Sequence, residues 1–265
     1  MKLPFSNRPG KDLLAAGGFV LVCLLLIFAS IWAYNQFIST PPYVDPEKYP
    51  VRGLDISAHN GKIDFHKAAS SGIEFVFIKA TEGRDFKDKN FRDNYNRAHA
   101  AGLKTGVYHF FRFDSDGVEQ AINLLKTVGS RRPELGIVID VEKNGNPDSV
   151  PADQINRRLT AMVDYLNLLG HRVMFYTNLD GYYNYIVDSF PGYPLWICRF
   201  QEYPINAEWT FWQFSHRGAV PGVDGEVDLN VFCGNREEWK SFLDGSLWPY
   251  SSRQNNPPIG KNHNN

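Results

Sequence analysis

A chain of 265 residues, 43% of them hydrophobic, can hold one large domain or two small ones with a substantial core. Its formal net charge of −1 leaves no basic footprint for nucleic acid, which removes that class of partner. An aromatic content of 14% fits core packing and fits a cleft whose flat rings stack on sugar faces; composition does not choose between them.

In chain order, residues 1–12 come first and carry Lys2, Arg8 and Lys11. The 21 residues from Leu13 to Ala33 contain no charge. A bilayer core needs about 20 helical residues, whereas the apolar part of a secretory signal is shorter, about 7–15. With its positive charges on the N-terminal side, the segment is expected to be a single-pass anchor in the cytoplasmic (inner) membrane. Residues 1–12 would then lie inside and everything after Tyr34 outside. Small residues Ala29, Ser30 and Ala33 keep a cleaved, secreted form as the alternative. Residues 34–50 carry four prolines and no helical period, so they read as an extended tether. Residues 51–244 read as one compact domain, and the polar residues 245–265 as a disordered tail. Cys198 and Cys233 are the cysteines of the exported part; pairing and two free thiols are both open.

Within 51–244 the apolar strand candidates are RGLDIS, FVFIKAT, TGVYHFF, LGIVIDVE, RVMFYTN, PLWICRF, TFWQFS and VDLNVF. Helical stripes separate the early ones. Phe91, Tyr95 and Ala98 form one, stopped at Gly102; Val118, Ala121, Ile122 and Leu125 form a second, stopped at Gly129. Ile155, Leu159, Met162, Val163 and Leu166 form a third, stopped at Gly170. Asp114 and Asp116 read as helix-start chemistry. Strands alternating with helices predict an α/β fold with a parallel sheet. Specifically, the pattern predicts a modified TIM-like β/α barrel of eight strands and about five helices, its final quarter lacking helices, preceded by one transmembrane helix.

Each strand acquires polar or aromatic character at its C-terminal end: Asp55, Glu82, His109, Asp140 with Glu142, Tyr176 with Asn178, Trp196 with Arg199, Trp212 with Gln213, and Asp228. Parallel barrels build their active sites at that rim. Asp140 and Glu142 end a run that otherwise avoids charge. At i and i+2 they face one side, about 6.5–7 Å apart at the backbone. Like charges this close resist joint ionisation, so one acid keeps its proton. Glycoside hydrolysis uses such a pair, with a protonated acid at the leaving oxygen and an anion stabilising positive charge. Glu142 is placed as the protonated member, kept so by the Asp140 charge and aromatic walls. Metal-binding spacings such as HExxH are absent, and no metal or other cofactor is expected.

These residues resemble glycoside hydrolase family 25, the muramidases or CH-type lysozymes. The resemblance is carried by RGLDISAHNGKIDF, FVFIKATEGRDFKDKNF, AHAAGLKTGVYHFFRF, VIDVE, FYTN, LWICRF, WQFS and VDLNVF, in order, over roughly Arg52 to Gly234. It implies a modified barrel with five helices and cleavage of the β-1,4 bond after N-acetylmuramic acid in peptidoglycan, without a cofactor. It also implies catalytic positions at Asp55, Asp140, Glu142 and Asp228, with Glu142 as general acid and then base and Asp140 orienting the substrate's 2-acetamido group. Glu82, His109, Tyr176, Asn178, Trp196, Trp212 and Gln213 are expected to contact substrate, and Tyr108, alternating away from His109, to be core. Either the acetamido group or an enzyme carboxylate could attack the sugar. Two carboxylates on one strand share a side, which favours the acetamido group and net retention. Two positions depart from the family pattern: no tryptophan follows Asp64, and Cys198 replaces a small residue. Both are expected to lie away from the acids.

Two functions follow. One is an anchored muramidase acting on peptidoglycan glycan near the membrane. The other is a non-catalytic peptidoglycan-binding barrel on the same tether, since a fold alone does not guarantee turnover.

Overall fold

Uncharged and rich in leucine, the N-terminal run forms a helix. The computed structural model describes residues 9–39, 42–200, 202–204, 208–246 and 248, and helix α1 spans Pro9–Ser39. Its stretch Gly17–Tyr34 is long and apolar enough to cross a membrane. The helix continues past the expected start of the tether at residue 34, because nothing from Tyr34 to Ser39 breaks a helix and the first prolines are Pro41 and Pro42. The chain divides into two units, Met1–Pro41 and Pro42–Asn265.

In the second unit, all eight predicted strands form. They are β1 (Arg52–Ile56), β2 (Ile73–Glu82), β4 (Lys104–Phe110), β5 (Ile137–Asp140), β6 (Val173–Asn178), β7 (Leu195–Cys198), β8 (Phe211–Gly218) and β9 (Val227–Phe232). The short β3 (Phe86–Lys87) folds back on the end of β2 as a hairpin finger. Pairing runs β1-β9-β8-β7-β6-β5-β4-β2, and β1 pairs with β2, so the sheet closes. The pairs from β1–β2 through β7–β8 are parallel. The last strand departs from the expected parallel course: β9 is antiparallel to both β8 and β1. A hairpin joins β8 to β9, which needs no crossover helix and explains the helix-poor flank.

Around the barrel lie α2 (Phe65–Ser70), α3 (Phe91–Ala100), α4 (Gly117–Val128), α5 (Ala152–Leu168), the single turn α6 (Leu179–Gly181), which leads into a π turn over Tyr182–Ile186, and α7 (Arg236–Asp244). The stripes expected on α3 and α5 are the buried faces found. Asp116 accepts from the Glu119 N–H and caps α4, as its position suggested. The buried face of α4, however, is rotated by about one residue, to Gln120, Ala121, Leu124 and Val128. The cause is a close crossing: a Cβ on Gly117 would lie 1.9 Å from the Arg158 carbonyl oxygen of α5.

Two apolar layers result. Helices pack on the outer face of the sheet, while Val51, Phe75, Phe77, Phe211 and Phe232 fill the barrel's lower interior. Gly53 and Gly106 make room for the large rings, since a Cβ on either would lie 2.3 Å from Phe75 or Phe77. Trp239 and Phe242 of α7, with Trp248, belong to this interior cluster, and Trp239 stands 5.6 Å from Phe75 and 5.1 Å from Phe232. The expected tail is therefore ordered at its start, where burial of the Trp248 ring anchors it; residues 247 and 249–265 lie outside those described. On the helix-poor flank, Tyr49, Tyr203, Trp209 and Trp212 take the place of a helix. Tyr49 is buried and its hydroxyl meets that of Tyr203 at 2.8 Å, so the end of the expected tether belongs to the domain.

Candidate functional site

Alternation along each strand decides what faces the barrel interior. At the upper end, where the parallel strands finish, this brings Asp55, Tyr108, Asp140, Glu142, Tyr176, Trp196, Cys198, Phe200, Gln213 and Asp228 around a cavity of about 280 Å³. All four predicted acids share it. Asp228 reaches the rim from the start of its strand, not the end, because β9 runs antiparallel and sets it opposite Asp55.

Asp55 is the most heavily bonded of the four. Its Oδ1 accepts from Gln213 Nε2 and from Asn230 Nδ2, both at 2.8 Å. Each amide is held in turn by an aromatic donor: the Tyr176 hydroxyl donates to Gln213 Oε1 and the Trp196 indole to Asn230 Oδ1, again at 2.8 Å. These rings fix which end of each amide faces Asp55. Burial raises the Asp55 carboxyl to about 6 in spite of the two amide donors. Burial, then the Asp55 charge and their shared hydrogen bond, push Asp228 up to about 8. Asp140 is pushed well above its ordinary range by burial and the Glu142 charge, opposed by Lys79. Its Oδ1 is buried without a hydrogen-bond partner among the described residues. Glu142, less deeply set, is raised by burial and then by Asp228. The charges of Asp140 and Glu142 act on one another, so the two acids share a proton, and burial favours it on the deeper Asp140.

The predicted substrate contacts divide. Tyr176, Trp196 and Gln213 line the cavity, with Trp196 as its floor, stacked on Phe77 at 4.4 Å. Glu82 stands outside the lining, bound to Lys79 at 2.9 Å and to Arg112 at 3.5 Å. Asn178 caps α6 by accepting from the Gly181 N–H. Trp212 faces outward and donates its indole N–H to the Arg199 carbonyl. His109 also faces outward, fully buried between β4 and α4. Thr81 Oγ1 lies 2.7 Å from its Nδ1, and Gln120 Oε1 lies 3.0 Å from its Nε2. That same Oε1 also accepts from the Arg112 N–H, so Nε2 is the protonated nitrogen and Nδ1 accepts from Thr81. Burial pulls the ring down to about 4, so it stays neutral and structural.

The residue that takes the place of His109 is Tyr108, the one expected to be core. In the register of the sheet, Tyr108 pairs with Val138 and Phe110 with Asp140, which gives them the interior parity. Cys198 likewise lines the acid cavity, contrary to expectation, and burial pushes its thiol well up. Cys233 is exposed and both are free thiols. Phe200 and Asn230 were also not singled out. For Asn230 the signal existed, since it stands two residues from Asp228 on the same face.

Comparison with known proteins agrees with this geometry. The family model for Glycosyl hydrolases family 25 matches residues 54–223. The chain is similar to the uncharacterized protein YegX of Escherichia coli (strain K12), 34% identical over 216 residues, covering 76% of each. It is 32% identical to Lysozyme M1 of Streptomyces globisporus over 205 residues, covering 70% of this chain and 68% of that one. Among solved structures, a family 25 glycosyl hydrolase from Bacillus anthracis superposes with a TM-score of 0.70 at 34% identity, covering 76% of this chain and 96% of that one.

Proposed function

Because the chain belongs to glycosyl hydrolases family 25, and is a glycoside hydrolase by that membership, we propose that it is a muramidase. It hydrolyses the β-1,4 bond between N-acetylmuramic acid and N-acetylglucosamine in peptidoglycan, and α1 holds it, uncleaved, in the cytoplasmic membrane with the barrel outside. The observation that carries the reading is the convergence of Asp55, Asp140, Glu142 and Asp228 on one cavity, floored by a tryptophan.

In this mechanism Glu142 donates a proton to the glycosidic oxygen as the bond from C1 breaks. The carbonyl oxygen of the 2-acetamido group attacks C1, and Asp140 accepts a hydrogen bond from the acetamido N–H. The unpartnered Oδ1 of Asp140 supports that role. In the free site, Asp140 and Glu142 share their acidity, with the proton favouring the deeper Asp140. A substrate N–H facing Asp140 stabilises its anion, and the proton passes to Glu142 at the mouth. Glu142, ionised after donation, takes a proton from the water that opens the cyclic intermediate, so the sugar keeps its configuration. Asp55 and Asp228, one of them protonated, line the opposite wall.

The test uses residues 42–265 and purified peptidoglycan, with Glu142→Gln beside the wild type. Wild type should release muropeptides with new reducing ends, and the variant should be slower by about 10²–10⁴-fold for want of a transferable proton. Binding to the sacculus without release would establish the non-catalytic alternative instead. Proton NMR of the first product should find the retained anomer; the inverted one rejects acetamido attack. The N-terminal mass of the mature protein decides between anchor and cleaved signal.

A further inference from the structure

We propose that the end of the barrel opposite the acids is a docking face for an anionic phospholipid surface. It rests on the anchored reading of α1. The turns that precede β5 and β6 enclose a groove of about 530 Å³, lined by Arg131, Arg132, His171, Arg172 and Leu169 among others and by no acid. These turns lie where the parallel strands begin, the same end at which the chain coming from residue 42 enters β1 at Arg52. The catalytic cavity opens at the other end.

The chemistry of the groove suits phosphate. Its charge is that of three guanidinium groups, because burial and Arg132 hold His171 below its ordinary value. Arg131 is fixed over the rings of Phe91 and Tyr95, and its buried Nε has no hydrogen-bond partner among the described residues. Arg172 is anchored over Trp248 and donates to the Leu243 carbonyl. Arg132 is exposed. Of the neighbouring acids, Glu134 accepts from Thr105 and pairs with Lys104, while Asp244 accepts from Ser246 and offsets part of the Arg172 charge.

Beside these cations stand Leu168, 82% exposed, and Leu169, 51% exposed, the only exposed leucines of the barrel unit among the described residues. Adjacent exposed leucines at the edge of an arginine groove match a face that inserts apolar tips between acyl chains and sets cations on the headgroups. Docked in this way, the barrel presents its acids away from the bilayer, towards the glycan.

Residues 42–265 suit the test, since this unit closes its own core and the Bacillus anthracis structure is that barrel with 96% of its chain covered. The measurement is co-sedimentation with phosphatidylcholine vesicles, with and without about a third phosphatidylglycerol, at low and high salt. Wild type should prefer the phosphatidylglycerol vesicles and lose the preference at high salt. Each cation at such a surface is worth about fivefold in binding, so Arg132→Gln should bind about fivefold more weakly and Arg132→Glu about twenty-five-fold. Leu168→Ser should weaken binding while leaving the salt dependence in place. Each variant is exposed enough to keep the wild-type melting temperature. Equal partition onto both vesicle types, or unchanged binding by both Arg132→Glu and Leu168→Ser, overturns the proposal. So does calorimetric binding of inorganic phosphate by a protein that ignores the vesicles. Glu142→Gln should bind vesicles as wild type does, so loss of the muramidase reading leaves this result standing.

Discussion

Replacing Asp228 by Asn removes an acid that the fold forces to keep its proton. The carboxyl titrates near 3.8 when free and is pushed up to about 8 in the cavity. Between those values the unfolded chain has lost a proton that the folded chain retains, so folding becomes less favourable as pH rises. The stabilisation is complete below about pH 4, declines above it, and is gone above about pH 8. The slope for one such group is about 1.36 kcal/mol per pH unit, or about 2.7 kcal/mol between pH 5 and pH 7. Asp228 is half-buried and shares its proton with Asp55, itself raised to about 6, which reduces the figure to about 1–1.5 kcal/mol. For a domain of this size 1 kcal/mol moves Tm by about 2–4 °C. Over that pH interval the wild type should therefore lose about 2–6 °C more than Asp228→Asn. The amide can still donate to Asp55, so the variant should fold. Calorimetric melts of residues 42–265 at pH 5, 6 and 7 read the difference. Parallel profiles for the two proteins, or a steeper fall in the variant, would refute the placement of a retained proton on this pair.

His109→Ala should lower stability by about 3 kcal/mol, from the emptied volume and the unpaired Thr81 hydroxyl, while KM for glycan stays at the wild-type value; a raised KM with unchanged Tm would return His109 to the groove. In native residues 42–265 a thiol reagent should titrate Cys233 first and Cys198 far more slowly, since Cys198 is half-buried in the cavity and held there as a neutral thiol, and unfolding should make the two equivalent. Gly117→Ala should cost about 2–4 kcal/mol by forcing α4 away from α5, measured as the midpoint of urea unfolding; a neutral effect would mean the helix crossing is looser than described.

The strands were legible because each is an apolar run with a charged or cyclic residue where it meets solvent, and the acids because charge at the end of such a run needs a reason. What alternation cannot supply is parity. Tyr108 and His109 are adjacent on β4, and only the pairing of β4 with β5 decides which one looks inward. A histidine draws attention for its chemistry, yet Gly106 sets the interior phase by making room for Phe77, and a glycine carries no such flag. The same ambiguity separated Trp196, in the cavity, from Trp212, outside it. Strand direction was equally silent: the VDLNVF run has its acid near its start, which fits a rim site only when the strand runs backwards.

The part of the site hardest to read is the part that sets its charge. Asp55 is held by Gln213 and Asn230, and they are held by Tyr176 and Trp196, so an anion is stabilised by neutral groups drawn from β6, β7, β8 and β9. None of these residues is unusual alone, and their distances along the chain range up to 175 residues. They meet only because the barrel closes, with β9 pairing to β1 and bringing Asp228 against Asp55. Closure therefore does more than shape a cavity. It juxtaposes two acids of which Asp55 raises Asp228 while the Asp228 hydrogen bond favours the Asp55 anion, supplies the amide donors that help Asp55 ionise, and so leaves Asp228 as the proton holder.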